Sequence, residues 1–430
     1  MNRKNVLVAL AGLAMSGVAF AQDSTGNQDR AYAAEMMADA QTRTSLLQAG
    51  GSGHDGAFNL SDGAGNYRLN IGGFTQFRYY LNFRDGDVGG GGHDSGFTNG
   101  FEATRTDLIF SGNVINPNTT FYIRTEFNSN GDFDLLDAYG KYAFDNGTGL
   151  IWGQYRAPVF RETMVAETGQ LTAEYSLTGT VFDPDRTQGV AFDYRGDAFY
   201  GIFSFNDGGD ARNSSYSGTG EADYGLTARV EGKLAGEWSR FDDFTSFRNQ
   251  DFAALIGGAI HYQQTGNTAA FTSGNVPAFQ TQGNAFLYTV DASLEGNGWN
   301  VYGAFLGLHS DPDSGSSVDN FGGIIQGGIF VTDNVELFGR WDGLFADEDL
   351  GGITSDGDDN LNTFTVGVNN YFVPDSHAAK LTVDLQYLVE QPSATAFNLG
   401  GINSTNNTLG LLPDSDDGQF AFRIQMQLMF

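Results

Sequence analysis

The 430-residue sequence predicts an all-β fold: a sixteen-stranded antiparallel transmembrane β-barrel preceded by a short N-terminal helix. Three observations lead there. From Tyr67 onward apolar and polar residues alternate with a period of two through one segment after another. Short and long links between those segments interleave along the chain, as they do where a barrel has tight turns at one rim and loops at the other. The last segment, Gln419 to Phe430, sets an apolar row against a polar one and ends on an aromatic residue.

Composition narrows the alternatives. The mature part contains no run of 18 apolar residues, so it has no ordinary transmembrane helix. It has no cysteine, so no disulfide framework holds it. With 60 Gly, 36 Phe and 18 Tyr against 8 Pro, the mixture suits strands and tight turns, and it is too aromatic for a disordered chain. The 52 acidic and 22 basic residues, with no basic cluster, exclude a nucleic-acid partner, because phosphate backbones would repel the chain.

Taken in order, residues 1–21 read as a signal peptide: Arg3 and Lys4 precede an apolar stretch from Val6 to Val18, and Ala19-Phe20-Ala21 ends it in a small-x-small pattern. Its removal changes the net charge from −30 to −32 by taking away those two cations. Residues 22–65 form a periplasmic leader. Within it, 28–48 carries Tyr32, Met36, Ala40, Arg43 and Leu47 along one side of a possible helix, readable as a short coiled coil or as a flexible lead-in.

The barrel occupies 66–430. Its strands are expected at 66–83, 101–113, 119–130, 133–144, 149–156, 187–195, 198–206, 221–232, 251–264, 283–296, 299–309, 319–331, 334–342, 361–372, 378–390 and 418–430. In the first, Thr75, Phe77, Tyr79, Leu81 and Phe83 point one way and Gln76, Arg78, Tyr80 and Asn82 the other, so one face can meet lipid and the other water. Two links break the pattern: 131–132 is short where a loop is due, and 233–250 is long where a turn is due. An even strand count returns the last strand to the first, which matters because an open edge in lipid leaves amides and carbonyls unpaired at several kcal/mol each.

The final strand, with Phe420, Phe422, Ile424, Met426, Leu428 and Phe430 on one face and Gln419, Arg423, Gln425 and Gln427 on the other, resembles the C-terminal recognition signal of bacterial outer-membrane barrels. That resemblance makes Phe430 the assembly signal and the barrel assembly machinery a partner. Further segments are Phe101-Glu102-Ala103-Thr104-Arg105-Thr106-Asp107-Leu108, Asp137-Ala138-Tyr139, Gly153-Gln154-Tyr155-Arg156-Ala157-Pro158-Val159 and Asp185-Arg186-Thr187-Gln188-Gly189-Val190. Together with Phe422 to Phe430 they resemble the phosphate-selective porin O and P family of outer-membrane channels. The resemblance implies a homotrimer in the cell outer membrane of a Gram-negative bacterium, in contact with its lipids and lipopolysaccharide. It also implies a third loop folded inward to narrow the lumen.

That loop corresponds to 157–186. The candidate constriction residues are Arg156, Arg161, Glu162, Glu167, Asp183 and Arg186, with Glu174 and Asp185 on the same segment. Opposed charges there either set a transverse field across a narrow passage or pin the loop to the wall by salt bridges. On the wall, Arg78, Arg105, Arg124 and Lys141 share the luminal face with Asp107, Glu126 and Asp137, and Arg68, Arg229, Arg340 and Arg423 extend the set. A phosphate-selective pore wants an uncompensated ladder of cations, and no lysine cluster occurs. Luminal positions such as Asn70, Gly72, Gln76 and Gln425 read as polar and small, unlike a plugged barrel.

Acidic loop groups, among them Asp311, Asp313, Asp347, Glu348, Asp356, Asp358 and Asp359, read as a charged outer rim or as loose Ca²⁺ ligands without the spacing of a calcium loop. Five histidines and no cysteine form no zinc pattern and no triad, so neither a metal, a cofactor nor catalysis is expected. The function expected is passive diffusion of small hydrophilic solutes and ions. The alternatives are an anion- or phosphate-specific channel and a barrel-anchored structural or adhesion protein.

Overall fold

The computed structural model describes residues 52–54, 57–85, 96–217, 221–265, 283–350, 352–354, 356–391, 408–412 and 418–430. Residues 1–21, expected as a signal peptide, and the 28–48 segment lie outside them. Two short strands, β1 (Ser52–His54) and β2 (Phe58–Ser61), precede sixteen further ones: β3 (Arg68–Phe83), β4 (Phe97–Asn113), β5 (Thr119–Asn128), β6 (Phe133–Ala143), β7 (Thr148–Arg156), β8 (Arg186–Arg195), β9 (Phe199–Asn206), β10 (Tyr224–Ala235), β11 (Ala253–Thr265), β12 (Gly283–Gly296), β13 (Trp299–Pro312), β14 (Val318–Phe330), β15 (Val335–Phe345), β16 (Asn360–Tyr371), β17 (Ala379–Leu388) and β18 (Gln419–Met429). From β3 to β18 each strand pairs antiparallel with the next, and β18 pairs with β3 from Phe420↔Phe83 to Met429↔Phe74. The sixteen-stranded closed barrel is as expected. Closure gives every ladder a partner, which is what a lipid-embedded sheet requires.

The sheet starts earlier than residue 66. Strand β2 pairs with the first residues of β3, Phe58↔Ile71 to Ser61↔Arg68, and occupies the strip of edge that β18 leaves free. Where the two meet, Phe430 and Gly73 exchange both backbone bonds at 2.9 Å. Gly73 is required there by close approach, since a Cβ would run into the Asp107 backbone carbonyl oxygen and lie 2.9 Å from the Phe430 ring.

The alternation sorts side chains as read from the sequence: Phe77 and Phe83 are exposed on the outside, whereas Gln76, Arg78 and Asn82 are buried within. Two β-bulges shift that phase. One lies in β4 opposite Gln76/Phe77 and one in β6 opposite Arg124/Thr125, so Glu102 and Arg105 both sit opposite luminal residues of β3, Arg78 and Gln76.

Both anomalous links keep their anomalous lengths. The short one, 129–132, is closed by the Asn128 side chain, whose Oδ1 accepts from the N–H groups of Asn130 and Asp132 at 3.0 Å. The long one, 236–252, lies at the rim that carries Phe430 and folds into the barrel. Phe241, Phe244 and Phe247 are buried, Phe244 packs on Tyr302 (4.7 Å between centroids), and Phe247 meets Phe330 and Tyr371. Burying three phenylalanines offsets the entropy of ordering so long a turn.

The expectation of a uniformly polar, small luminal face needs correction. Leu287, Tyr302, Leu306, Leu308, Ile324, Phe338 and Leu344 project inward from β12 to β15 and form one apolar cluster with residues of the β7–β8 loop. That side of the barrel is filled with packed side chains. Along the β18–β3 seam the polar positions are matched instead: Gln76 bonds Gln427 at 3.0 Å, and Gln425 accepts from Arg78 at 2.9 Å.

Candidate pore constriction

The loop between β7 and β8 is built to fold inward. It contains a single helical turn α1 (Arg161–Met164), a 3₁₀ turn at Glu167–Gly169 and a short helix α2 (Leu177–Phe182) capped by the Ser176 hydroxyl, which accepts from the Gly179 N–H at 2.7 Å. Val159, Phe160, Val165, Leu171, Leu177, Val181 and Phe182 are buried in the apolar cluster, so hydrophobic burial holds one side of the loop to β11–β16. The long turn 236–252 supports it from below, the Phe244 N–H donating to the Gly169 carbonyl at 3.0 Å.

On the other side the loop meets arginines of the wall. Glu174 accepts from Arg105 at 2.9 Å through both carboxylate oxygens and lies 3.2 Å from Arg78. Glu167 accepts from Arg124 at 2.6 Å, and Arg124 also donates to Asp107 at 2.5 Å. Glu126 stands 3.7 Å from Arg105. At the loop's ends Arg156 bonds Asp183 at 2.5 Å and lies 3.7 Å from Asp185, while Arg186 bonds Asp185 at 2.9 Å and lies 3.5 Å from Asp137. Burial would push the Glu167 carboxyl up, but Arg124, Arg105, Arg156 and Arg186 together hold it well below the usual carboxylate range. Burial acts on Glu174 in the same sense and is likewise overcome, by Arg105 and then Arg78, which hold it at about 2.

Of the six residues proposed for the constriction, Arg156, Glu167, Asp183 and Arg186 are thus gathered into one charged group with Arg105, Arg124, Glu126, Asp107 and Asp137 of the wall. Arg161 and Glu162 are elsewhere. Arg161 donates to the Phe241 carbonyl and to Ser293 (3.2 Å), and its guanidinium lies over Phe241 and Phe244. Glu162 is sealed inside the loop, accepting from the N–H and hydroxyl of Ser176 at 2.7 and 2.6 Å, 3.5 Å from Arg340. Lys141 pairs with Asp193 at 2.5 Å, away from the group.

Beyond Asp107, Glu126 and Asp137, further luminal acids on strands escaped the sequence reading, among them Asp193, Glu231, Asp291, Asp342 and Asp384. Two of them carried a legible signal, since Arg229/Glu231 and Arg340/Asp342 are spaced by two on one face. Arg423 and Asp384 are cross-strand partners, bonded at 2.7 and 3.0 Å, which no single-strand pattern shows. The inward turn also had a signal, aromatic residues at every third position: Trp238, Phe241, Phe244 and Phe247.

No protein-family model matches the chain, and no curated protein matches it in sequence. Solved structures do. Outer-membrane expressed OmpT of Vibrio cholerae is similar over 85% of this chain and 98% of its own, with a TM-score of 0.52 at 12% identity. An anion-selective porin from Comamonas acidovorans is similar over 84% and 99%, with a TM-score of 0.57 at 12% identity. OprB of Pseudomonas putida is similar over 90% and 96%, with a TM-score of 0.54 at 10% identity. The chain is a closed sixteen-stranded antiparallel β-barrel that resembles outer-membrane porins in fold.

Proposed function

We propose that the chain works in the outer membrane as a narrow water-filled channel for passive diffusion of small hydrophilic solutes and ions. One contrast carries this reading. The side chains of Arg156, Asp183, Glu126 and Asp185 keep 14 to 22% of their surface exposed, whereas Arg78, Arg229, Arg340 and Arg423 keep 0%. Water therefore reaches the interior beside β4–β8 and is shut out at the wall arginines of β3, β10, β15 and β18. Solutes follow that off-centre path between guanidiniums and carboxylates, whose opposed fields orient dipoles and let water pass. The wall arginines of this group already face carboxylates, so no vacant ladder of cations favours phosphate over other ions. Export by the N-terminal signal, trimer formation and contacts with lipopolysaccharide belong to the same reading, which assigns no catalysis and no cofactor.

Planar-bilayer recording of the protein purified as a heat-modifiable barrel tests it, with reversal potentials in a salt gradient. Stepwise conductance of small amplitude with weak ion preference at high salt is expected. Absence of steps in folded protein would refute the channel. Strong anion preference, or saturation of the current by millimolar phosphate, would establish the phosphate-specific alternative instead.

A further inference from the structure

The inward turn 236–252 does more than support the loop above it. Between the two lies a cleft of about 160 Å³, lined by Arg195, Tyr200, Glu231, Trp238, Phe241 and Asp242 together with the edge of α1. Arg195, the last residue of β8, is stacked over Tyr200 (4.8 Å) and Trp238 (5.2 Å), and Trp238 is itself fixed by donating its indole N–H to the Gly196 carbonyl at 2.9 Å. Stacking holds a guanidinium flat and leaves its N–H edge for a planar acceptor. Glu231 is already matched, by Arg229 at 2.8 Å and Arg161 at 3.8 Å. Among the described residues neither Arg195 nor Asp242 belongs to an ion pair, although both are exposed and line the same cleft. All the wall arginines of the constriction have carboxylate partners, so this free pair of opposite charge stands apart.

We propose that the cleft is a permeation subsite for small zwitterions, such as neutral α-amino acids, with the solute carboxylate on Arg195 and its ammonium on Asp242. A solute carrying both charges satisfies both groups at once. An anion or a cation satisfies one and is repelled by the other, and an uncharged sugar has no charge for either. The inference rests on the channel reading above.

Liposome swelling with L-glutamine and with arabinose, solutes of similar size, tests it on the full-length protein. Glutamine is expected to enter faster than arabinose. Arg195→Gln and Asp242→Asn are each expected to lower the glutamine-to-arabinose ratio roughly two- to fivefold, the range for an exposed charge contact, with the arabinose rate unchanged. The double variant is expected to be no worse than either single one, because both groups act on one bridging solute. An unchanged ratio in the single variants overturns the subsite, and loss with Arg195→Gln alone overturns the zwitterion in favour of a plain anion. No swelling with either solute overturns the channel reading itself, an outcome distinct from the others.

Discussion

Glu174→Gln tests how the inward loop is held. The carboxylate is nearly fully buried and receives both Arg105 and Arg78. A carboxyl held at about 2 instead of its ordinary 4.5 favours the ionised, docked loop by about 3 kcal/mol at neutral pH. That agrees with the ~3–5 kcal/mol lost when one partner of a buried pair is removed. The barrel itself survives, because the apolar cluster and the Glu162–Arg340 and Glu167–Arg124 contacts remain. The substitution leaves the lumen one negative charge poorer. For an ion passing about 8 Å away in water-like surroundings, the cation loses and the anion gains about 0.5 kcal/mol each, so the cation-to-anion permeability ratio falls about fivefold. The pKa of Glu174 is depressed in the folded protein, so its contribution is complete above pH 4.5 and is lost only as pH falls through about 2. The difference between wild type and variant therefore persists at about pH 4 and has fallen to about half near pH 2. Reversal potentials in a salt gradient, measured at both pH values, decide the matter. Indistinguishable potentials for the two proteins at neutral pH would refute the assignment of Glu174 as a charged pin beside the passage.

Deleting Phe430 should reduce the yield of heat-modifiable barrel far more than the conductance of molecules that insert, because the residue closes the seam at Gly73. Equal yields by gel shift would contradict this. Replacing 237–251 by Asn-Gly should raise single-channel conductance, and Phe244→Ala should do so in part, with ~3–4 kcal/mol of packing lost where the ring meets Tyr302. Unchanged conductance in both would separate the turn from the passage. Neutralising Asp356, Asp358 and Asp359 together should blunt only a low-salt drift toward cations, since exposed loop charges are screened beyond about 8 Å at physiological salt. By contrast, Arg156→Ala with Arg186→Ala should shift selectivity at every salt concentration, because both arginines lie inside the barrel against Asp183, Asp185 and Asp137.

By itself the sequence determined the periodic features. A strand has a period of two and lipid demands closure, so the alternation at Gln76–Phe83, the sixteen segments and even the two misfit links, read at 131–132 and 233–250, were legible. The loop's charges were legible as types but not as pairs. Arg156, Glu167, Asp183 and Arg186 come together while Arg161 and Glu162 separate, because pairing depends on which wall each turn of the loop faces. Tertiary structure alone decided three further things. The bulges in β4 and β6 shift the luminal phase, and one extra residue in a strand leaves no mark in composition. The filled half of the lumen escaped because a row such as Leu287, Leu306, Ile324, Phe338 and Leu344 is spread over four strands and becomes contiguous only when they lie side by side. The cleft between the inward turn and the inward loop joins residues far apart in sequence, such as Arg195 and Asp242. Local pattern carries no information about such a juxtaposition, since it is set by how two independently buried segments divide the space inside one closed wall.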